Sequence, residues 1–187
     1  PQNPKTPKPR CIYERLKKEI KSNATVLMAS GKIVSVLDQG DSFSSDYEVR
    51  DLEGAFLMPG MIDADTHLSS LASAKIVLLS GVTTVRTAGV KAYQDVTLSQ
   101  LVSEGYFAGP DVVPAGVYVT PDLGETALAD PRLGPLMQGI TDAEKLRTIV
   151  RINADRGAKV IKTRGTERAG RPETDPRKQT YTKSELE

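Results

Sequence analysis

Leu57-Met58-Pro59-Gly60-Met61-Ile62-Asp63-Ala64-Asp65-Thr66-His67-Leu68 is the stretch that decides how this chain is read. Apolar Phe56 to Met58 leads through a Pro-Gly step into a second apolar start at Met61-Ile62, which then turns acidic. Pro-Gly is turn punctuation between periodic segments. Side chains two apart on a strand share one side, which puts Asp65 and His67 on the same one. His67 is the only histidine in the chain. Taken alone, a single histidine is more often structural than a ligand.

C-terminal to this stretch the chain alternates between strand and helix patterns. A helix from about Ser69 to Leu79 ends at the Ser80-Gly81 stop signal. Thr83-Thr84-Val85-Arg86 reads as a strand, and Leu98, Leu101 and Val102 mark the next helix, closing near Gly105. Asp111 to Val119 is a third strand region whose Pro114 suits an edge or an end. The Pro- and Gly-punctuated segment from Thr120 to Gly139 exceeds the usual connection length and has the profile of a loop over an active site. Thr141 is placed to cap a helix carrying Leu146, Ile149, Val150 and Ile152 up to Gly157. Lys159-Val160-Ile161-Lys162-Thr163 is the expected fourth strand, and Thr182 to Glu185 has capping-box spacing for a further helix. Such alternation argues for α/β architecture with parallel strands. Four βα units make half of an eight-stranded barrel, and a half-barrel has open edges whose backbone groups need partners.

N-terminal to it the patterns differ. Residues 24–55 read as part of a small β-sandwich, with strands at Thr25 to Met28 and Ile33 to Leu37 about a Gly31-Lys32 turn, and another from Tyr47 to Leu52. Residues 1–23 read as an extended proline-rich arm, Pro1 to Arg10, followed by a short helix through Ile12, Leu16 and Ile20. The barrel portion is then 56–187.

Composition narrows the function classes. With 39% hydrophobic and 26% charged residues the chain is long and apolar enough for a core. Its net charge of +1 supplies no field to gather nucleic acid or anionic lipid. No apolar run approaches the roughly 20 residues that span a bilayer. One cysteine, Cys11, leaves no internal disulfide and the redox compartment open. The expectation is a soluble protein, cytoplasmic or mature and exported, beginning here at Pro1.

The stretch Pro59-Gly60-Met61-Ile62-Asp63-Ala64-Asp65-Thr66-His67 resembles the amidohydrolase-superfamily pattern Pro-Gly-apolar-apolar-Asp-x-His-x-His at the end of the first barrel strand. Gly31-Lys32-Ile33-Val34 and Asp51-Leu52-Glu53-Gly54 are similar to the segments that precede it in that family. Gly81 to Arg86 resembles its second-strand motif, with Thr87 where an aspartate is usual. Gly105 to Pro110 with Ala115-Gly116, and Gly157 to Lys162, resemble the entries to strands three and four of the imidazolonepropionase-like and dipeptidase-like branch.

What the resemblance implies is a metal-dependent hydrolase of amide or cyclic-amide C–N bonds, working by metal-activated water. His67 matches a metal histidine, and Asp65 stands where the first one belongs. Either the site is retuned, holding one or two Zn²⁺ or oxygen-preferring Mn²⁺ or Fe²⁺, or the metal is lost. Lys162 matches the strand-four lysine that is carboxylated and bridges two metals in binuclear members, against a salt-bridged structural lysine. Arg164 lies two positions on and is a candidate for a substrate carboxylate, against an ion pair in the loop. Asp63 is expected to fix strand geometry by hydrogen bonds. The family's remaining metal histidines and its catalytic aspartate come from strands five, six and eight, so no catalytic base is assigned in this chain. Two functions follow: one part of a split, heteromeric enzyme completed by a complementary C-terminal half-chain, acting on a small amide or dipeptide-like substrate, or a noncatalytic amidohydrolase-like scaffold or binding subunit. A higher oligomer is compatible with both.

Overall fold

The computed structural model describes residues 5–8, 11–14, 19–170 and 172–187, with side chains from residue 20 onward. The chain divides into two compact units, Pro1–Pro59 and Gly60–Glu187.

The first unit is built from strands. β1 (Lys5–Lys8) runs parallel to β6 (Glu48–Asp51). β2 (Cys11–Glu14) pairs antiparallel with β3 (Glu19–Ser22) and parallel with β7 (Phe56–Leu57). β4 (Thr25–Ala29) and β5 (Lys32–Leu37) form a hairpin. Its two-residue turn has positive φ at both Ser30 (50°) and Gly31 (74°), the conformation whose twist matches right-handed strands. Val26 is fully buried, with Val36 and Leu57 packed on the same small cluster.

The helix expected through Ile12 and Ile20 is absent: those residues lie on paired strands, with Tyr13 opposite Ile20 and Ile12 opposite Lys21. Leu16 lies outside the described residues. β-branched and aromatic residues fit a paired strand, and β7 satisfies the second edge of β2. This non-local pairing outweighs a weak helical spacing.

In the second unit β8 (Met61–Thr66), β9 (Val82–Thr87) and β10 (Asp111–Val113) form a parallel sheet in sequence order. α1 (Leu71–Leu79) connects the first two, capped by Ser70, whose hydroxyl accepts from Ser73 N at 3.1 Å. α2 (Gln94–Ser103) connects the next two and follows Tyr93, which is left-handed at φ 58°. α3 (Ala143–Arg156) is capped by Asp142 rather than Thr141, because the Asp142 carboxylate accepts from Lys145 N at 2.9 Å. It ends on Gly157 at φ 104°. Leu146, Ile149 and Ile152 are buried along its inner face, whereas Val150 is exposed. α4 (Lys183–Leu186) opens with the expected capping box between Thr182 and Glu185. No helix among the described residues is long and apolar enough to cross a membrane.

One further expectation is corrected, and another is met in part. Residues 159–163 form no regular strand. They run beside the continuation of β10 through separate bonds: Lys159 N to Pro114 O at 2.7 Å and Val119 N to Lys162 O at 2.9 Å. A parallel bridge links Val119 and Thr163. Pro114 has no N–H to give, and Gly116 is left-handed at φ 69°, so the neighbouring strand loses the even spacing a ladder requires. The segment from Thr120 to Gly139 meets its expectation in part: residues 120–126 line a cavity, and the remainder is scaffold. It forms two 3-10 turns, Gly124–Ala129 and Pro131–Leu136, and buries Leu133 and Leu136 in one core with Ile149.

Candidate functional site at the C-terminal ends of the parallel strands

β8 carries the acidic stretch, and its pairing with β9 slips between Asp63 and Thr66. The freed Ala64 carbonyl accepts from Arg86 Nε at 2.8 Å, and the Asp63 carboxylate accepts from the Asp65 N–H at 3.1 Å. Irregularities of this kind re-aim side chains at strand ends. Asp65 and His67 are both exposed there.

The imidazole is held by two groups from neighbouring strands. Gly89 O lies 2.9 Å from His67 Nδ1, and Tyr118 Oη lies 3.0 Å from the same nitrogen. Gly89 follows β9 with φ 94°, and a Cβ on it would lie 2.9 Å from the Tyr118 ring. Glycine is therefore required twice over, by conformation and by space. The Arg164 guanidinium lies over the other part of this arrangement, 4.9 Å from the Tyr118 ring centroid. Burial raises the Tyr118 phenol above its ordinary value. The Arg164 and Arg168 cations oppose that rise, and the Asp65 carboxylate adds to it. Tyr118 thus sits in electrostatic reach of both Asp65 and Arg164.

Beside Tyr118 opens a cavity of about 720 Å³. Arg164, Arg168 and Lys91 bring positive charge to its walls, and Asp122, Glu125 and Glu173 bring negative charge. Lys178, also on the wall, is paired with Glu167 at 2.7 Å, which holds the Glu167 carboxyl below its usual range. The volume is that of a small-molecule site.

The floor behind these residues is a buried polar knot. Asp95, fully buried at the start of α2, accepts from Thr87 Oγ1 at 2.5 Å, Ala115 N at 2.9 Å, Gly116 N at 3.0 Å and Val96 N at 2.9 Å. Asn153 of α3 uses its amide as a stand-in strand neighbour: Nδ2 donates to Val117 O at 2.9 Å and Oδ1 accepts from Val117 N at 3.1 Å. These bonds fix the backbone that carries Tyr118.

Of the residues singled out from sequence, His67 and Arg164 are brought together through Tyr118, and Asp65 stands at the same strand end. Lys162 is half-buried on the neighbouring segment and makes no ion pair among the described residues. As a metal site the donor set is partial. His67 is oriented by its Nδ1, which leaves Nε2 as a donor, and Asp65 offers a carboxylate. No group of three or more His, Cys, Asp or Glu side chains among the described residues is placed to hold an ion. His67 and Asp65 are two donors, and a metal held by them needs further ligands. Tyr118, Asp95 and Asn153 were not singled out from sequence. Their roles depend on partners 51, 20 and 36 positions away, and no local spacing marks them.

Comparison with protein-family models finds no match, and comparison with curated proteins finds none. Solved structures do match. A prolidase from Bifidobacterium longum is 29% identical, with 89% of this chain covering 42% of that one at a TM-score of 0.71. A Xaa-Pro dipeptidase with methionine bound in its active site is 18% identical, with 98% of this chain covering 52% of that one at a TM-score of 0.83. The ochratoxinase of A. niger is 20% identical, covers 98% and 52% respectively, and has a TM-score of 0.71. The chain has the fold of the prolidases and amidohydrolases of the amidohydrolase superfamily, and it spans about half the length of these relatives.

Proposed function

We propose that this chain is one part of a divalent-metal-dependent amidohydrolase that cleaves an amide or cyclic-amide C–N bond, the rest of the barrel being supplied by further polypeptide, continuous with it or separate. The observation that carries this reading is His67: an imidazole anchored through Nδ1 at the end of the first parallel strand, beside a cavity walled by Arg164. A bound divalent ion would supply an activated water and polarise the scissile carbonyl. His67 and Asp65 would ligate it, and the carboxylate oxygen of Asp65 widens the choice from Zn²⁺ to Mn²⁺ or Fe²⁺. Lys162 would join as a carbamate: its neutral amine adds to carbon dioxide, an N–C bond forms, a proton leaves, and the side chain becomes an anionic ligand. Arg164 would take a substrate carboxylate, favouring a dipeptide-like or N-acyl amino acid substrate.

Lys162→Ala tests this reading. Bound metal and hydrolysis should both be lost, with partial recovery on adding small carboxylic acids. Full metal occupancy in the variant would remove Lys162 from the site. Asp65 also supports a second reading, a noncatalytic scaffold, because it replaces the histidine that the family uses first. In that case the unmutated protein would take up no metal at all.

A further inference from the structure

Two groups converge on one nitrogen, and their chemistry is unequal. Gly89 O is a carbonyl and can only accept a hydrogen bond. At 2.9 Å from His67 Nδ1 it therefore requires the proton to be on Nδ1. The Tyr118 hydroxyl, 3.0 Å from the same atom, then also meets it as an acceptor, leaving its own hydrogen free to point elsewhere. Were Tyr118 the donor instead, Nδ1 would be bare and would face the Gly89 lone pairs at contact distance. The two rings lie 5.9 Å apart between centroids and are tilted by 46°, so Tyr118 also flanks the imidazole and opposes its rotation. Gly89 contributes the absence of a side chain that lets the phenol ring approach.

We propose that Tyr118, acting with the Gly89 carbonyl, is a positioning residue that holds His67 in its Nδ1–H tautomer with Nε2 bare. This goes beyond the hydrolase reading and depends on it only for the purpose served. A histidine prepared in this way is ready to ligate through Nε2, and partners that fix the other ring nitrogen govern both tautomer and basicity.

Because His67 is the chain's only histidine, nitrogen-15 labelling of histidine gives a single imidazole to observe. The measurement is made on the protein in the assembly in which it is isolated, stripped of metal, at a pH where the ring is neutral, with any second polypeptide left unlabelled. The unmutated protein should show the Nδ1–H tautomer. In Tyr118→Phe, which keeps the ring and loses the hydroxyl, the Nδ1–H to Nε2–H ratio should fall roughly three- to tenfold, the equivalent of one net hydrogen bond. An Nε2–H signature in the unmutated protein overturns the proposal, as does an unaltered tautomer in Tyr118→Phe. Should that variant fail to fold, the same measurement on Tyr118→Leu decides the matter, the same fall being expected and an unaltered ratio overturning the proposal. Since no metal or substrate is present, the result stands apart from whether the protein is a hydrolase.

Discussion

Asp130 is 2% exposed and carries two guanidiniums, Arg132 at 2.9 Å and Arg156 at 2.6 Å. One comes from its own 3-10 turn and the other from the end of α3, so a single carboxylate pins the 120–139 segment to that helix. The hydrogen bonds from Arg132 are the chief cause of its carboxyl lying well below the usual carboxylate range, with burial opposing and Arg156 assisting. An unfolded chain protonates this group near pH 4, roughly, whereas the folded one keeps it ionised to much lower pH. The unfolded state therefore binds more protons in that window, and the stability contributed by Asp130 is full above it and drains away as pH falls. Urea unfolding across pH 2–7 should show the unmutated protein weakening below about pH 4. Asp130→Asn should be less stable at pH 7 and flatter in acid; an unchanged acid slope would deny Asp130 this role. Thr87 makes a related point. It stands where the resembling motif has an aspartate, and its hydroxyl donates to Asp95, so a carboxylate at this level of the fold reaches the strands from α2.

Among the elements, α3 does more than cover the sheet. Asn153 gives the Val117 N–H and C=O the partners that a regular fourth strand would otherwise provide. Asn153→Leu would bury both groups unpaired at an unchanged place in the core. A loss of about 2–4 kcal/mol is expected from urea denaturation, and a loss below 1 kcal/mol would show that these bonds are dispensable. The signals that the sequence carried well were the local ones: Gly157 as a helix stop, Thr182 to Glu185 as a capping box, and the hairpin between two apolar runs, whose turn falls on Ser30-Gly31, one residue before the expected Gly31-Lys32. Elements whose hydrogen bonds lie far away in sequence were misread. β2 and β3 looked helical because their spacing allowed it, and β7, the partner that makes β2 a strand, lies more than 40 residues on. Residues 159–163 looked like a strand from their apolar run, but strand formation also depends on the partner, and Pro114 and Gly116 spoil it. The site divides in the same way. His67 was legible from its motif, whereas Tyr118 becomes meaningful only once Gly89, His67 and Arg164 are seen around it.

At the scale of the whole molecule, the parallel sheet ends on β8, which has β9 on one side and no strand on the other among the described residues. Its Ile62 is 62% exposed, and on α1 Ile76 and Leu79 are 68% and 76% exposed. Burying apolar area is worth about 25 cal/mol per Å², so an open strand edge with isoleucine beside it is a surface on which further barrel packing is favourable. The relatives, of which the chain spans about half, fit the same account. Its central claim is that this sequence works within a completed, metal-holding barrel. Native mass spectrometry of the purified material, after equilibration with zinc, reads both parts at once. The account predicts a particle larger than 20.2 kDa that contains further barrel strands, on the same polypeptide or a second one, and carries one or two metal ions. A cooperatively folded, metal-free monomer of 20.2 kDa would contradict it.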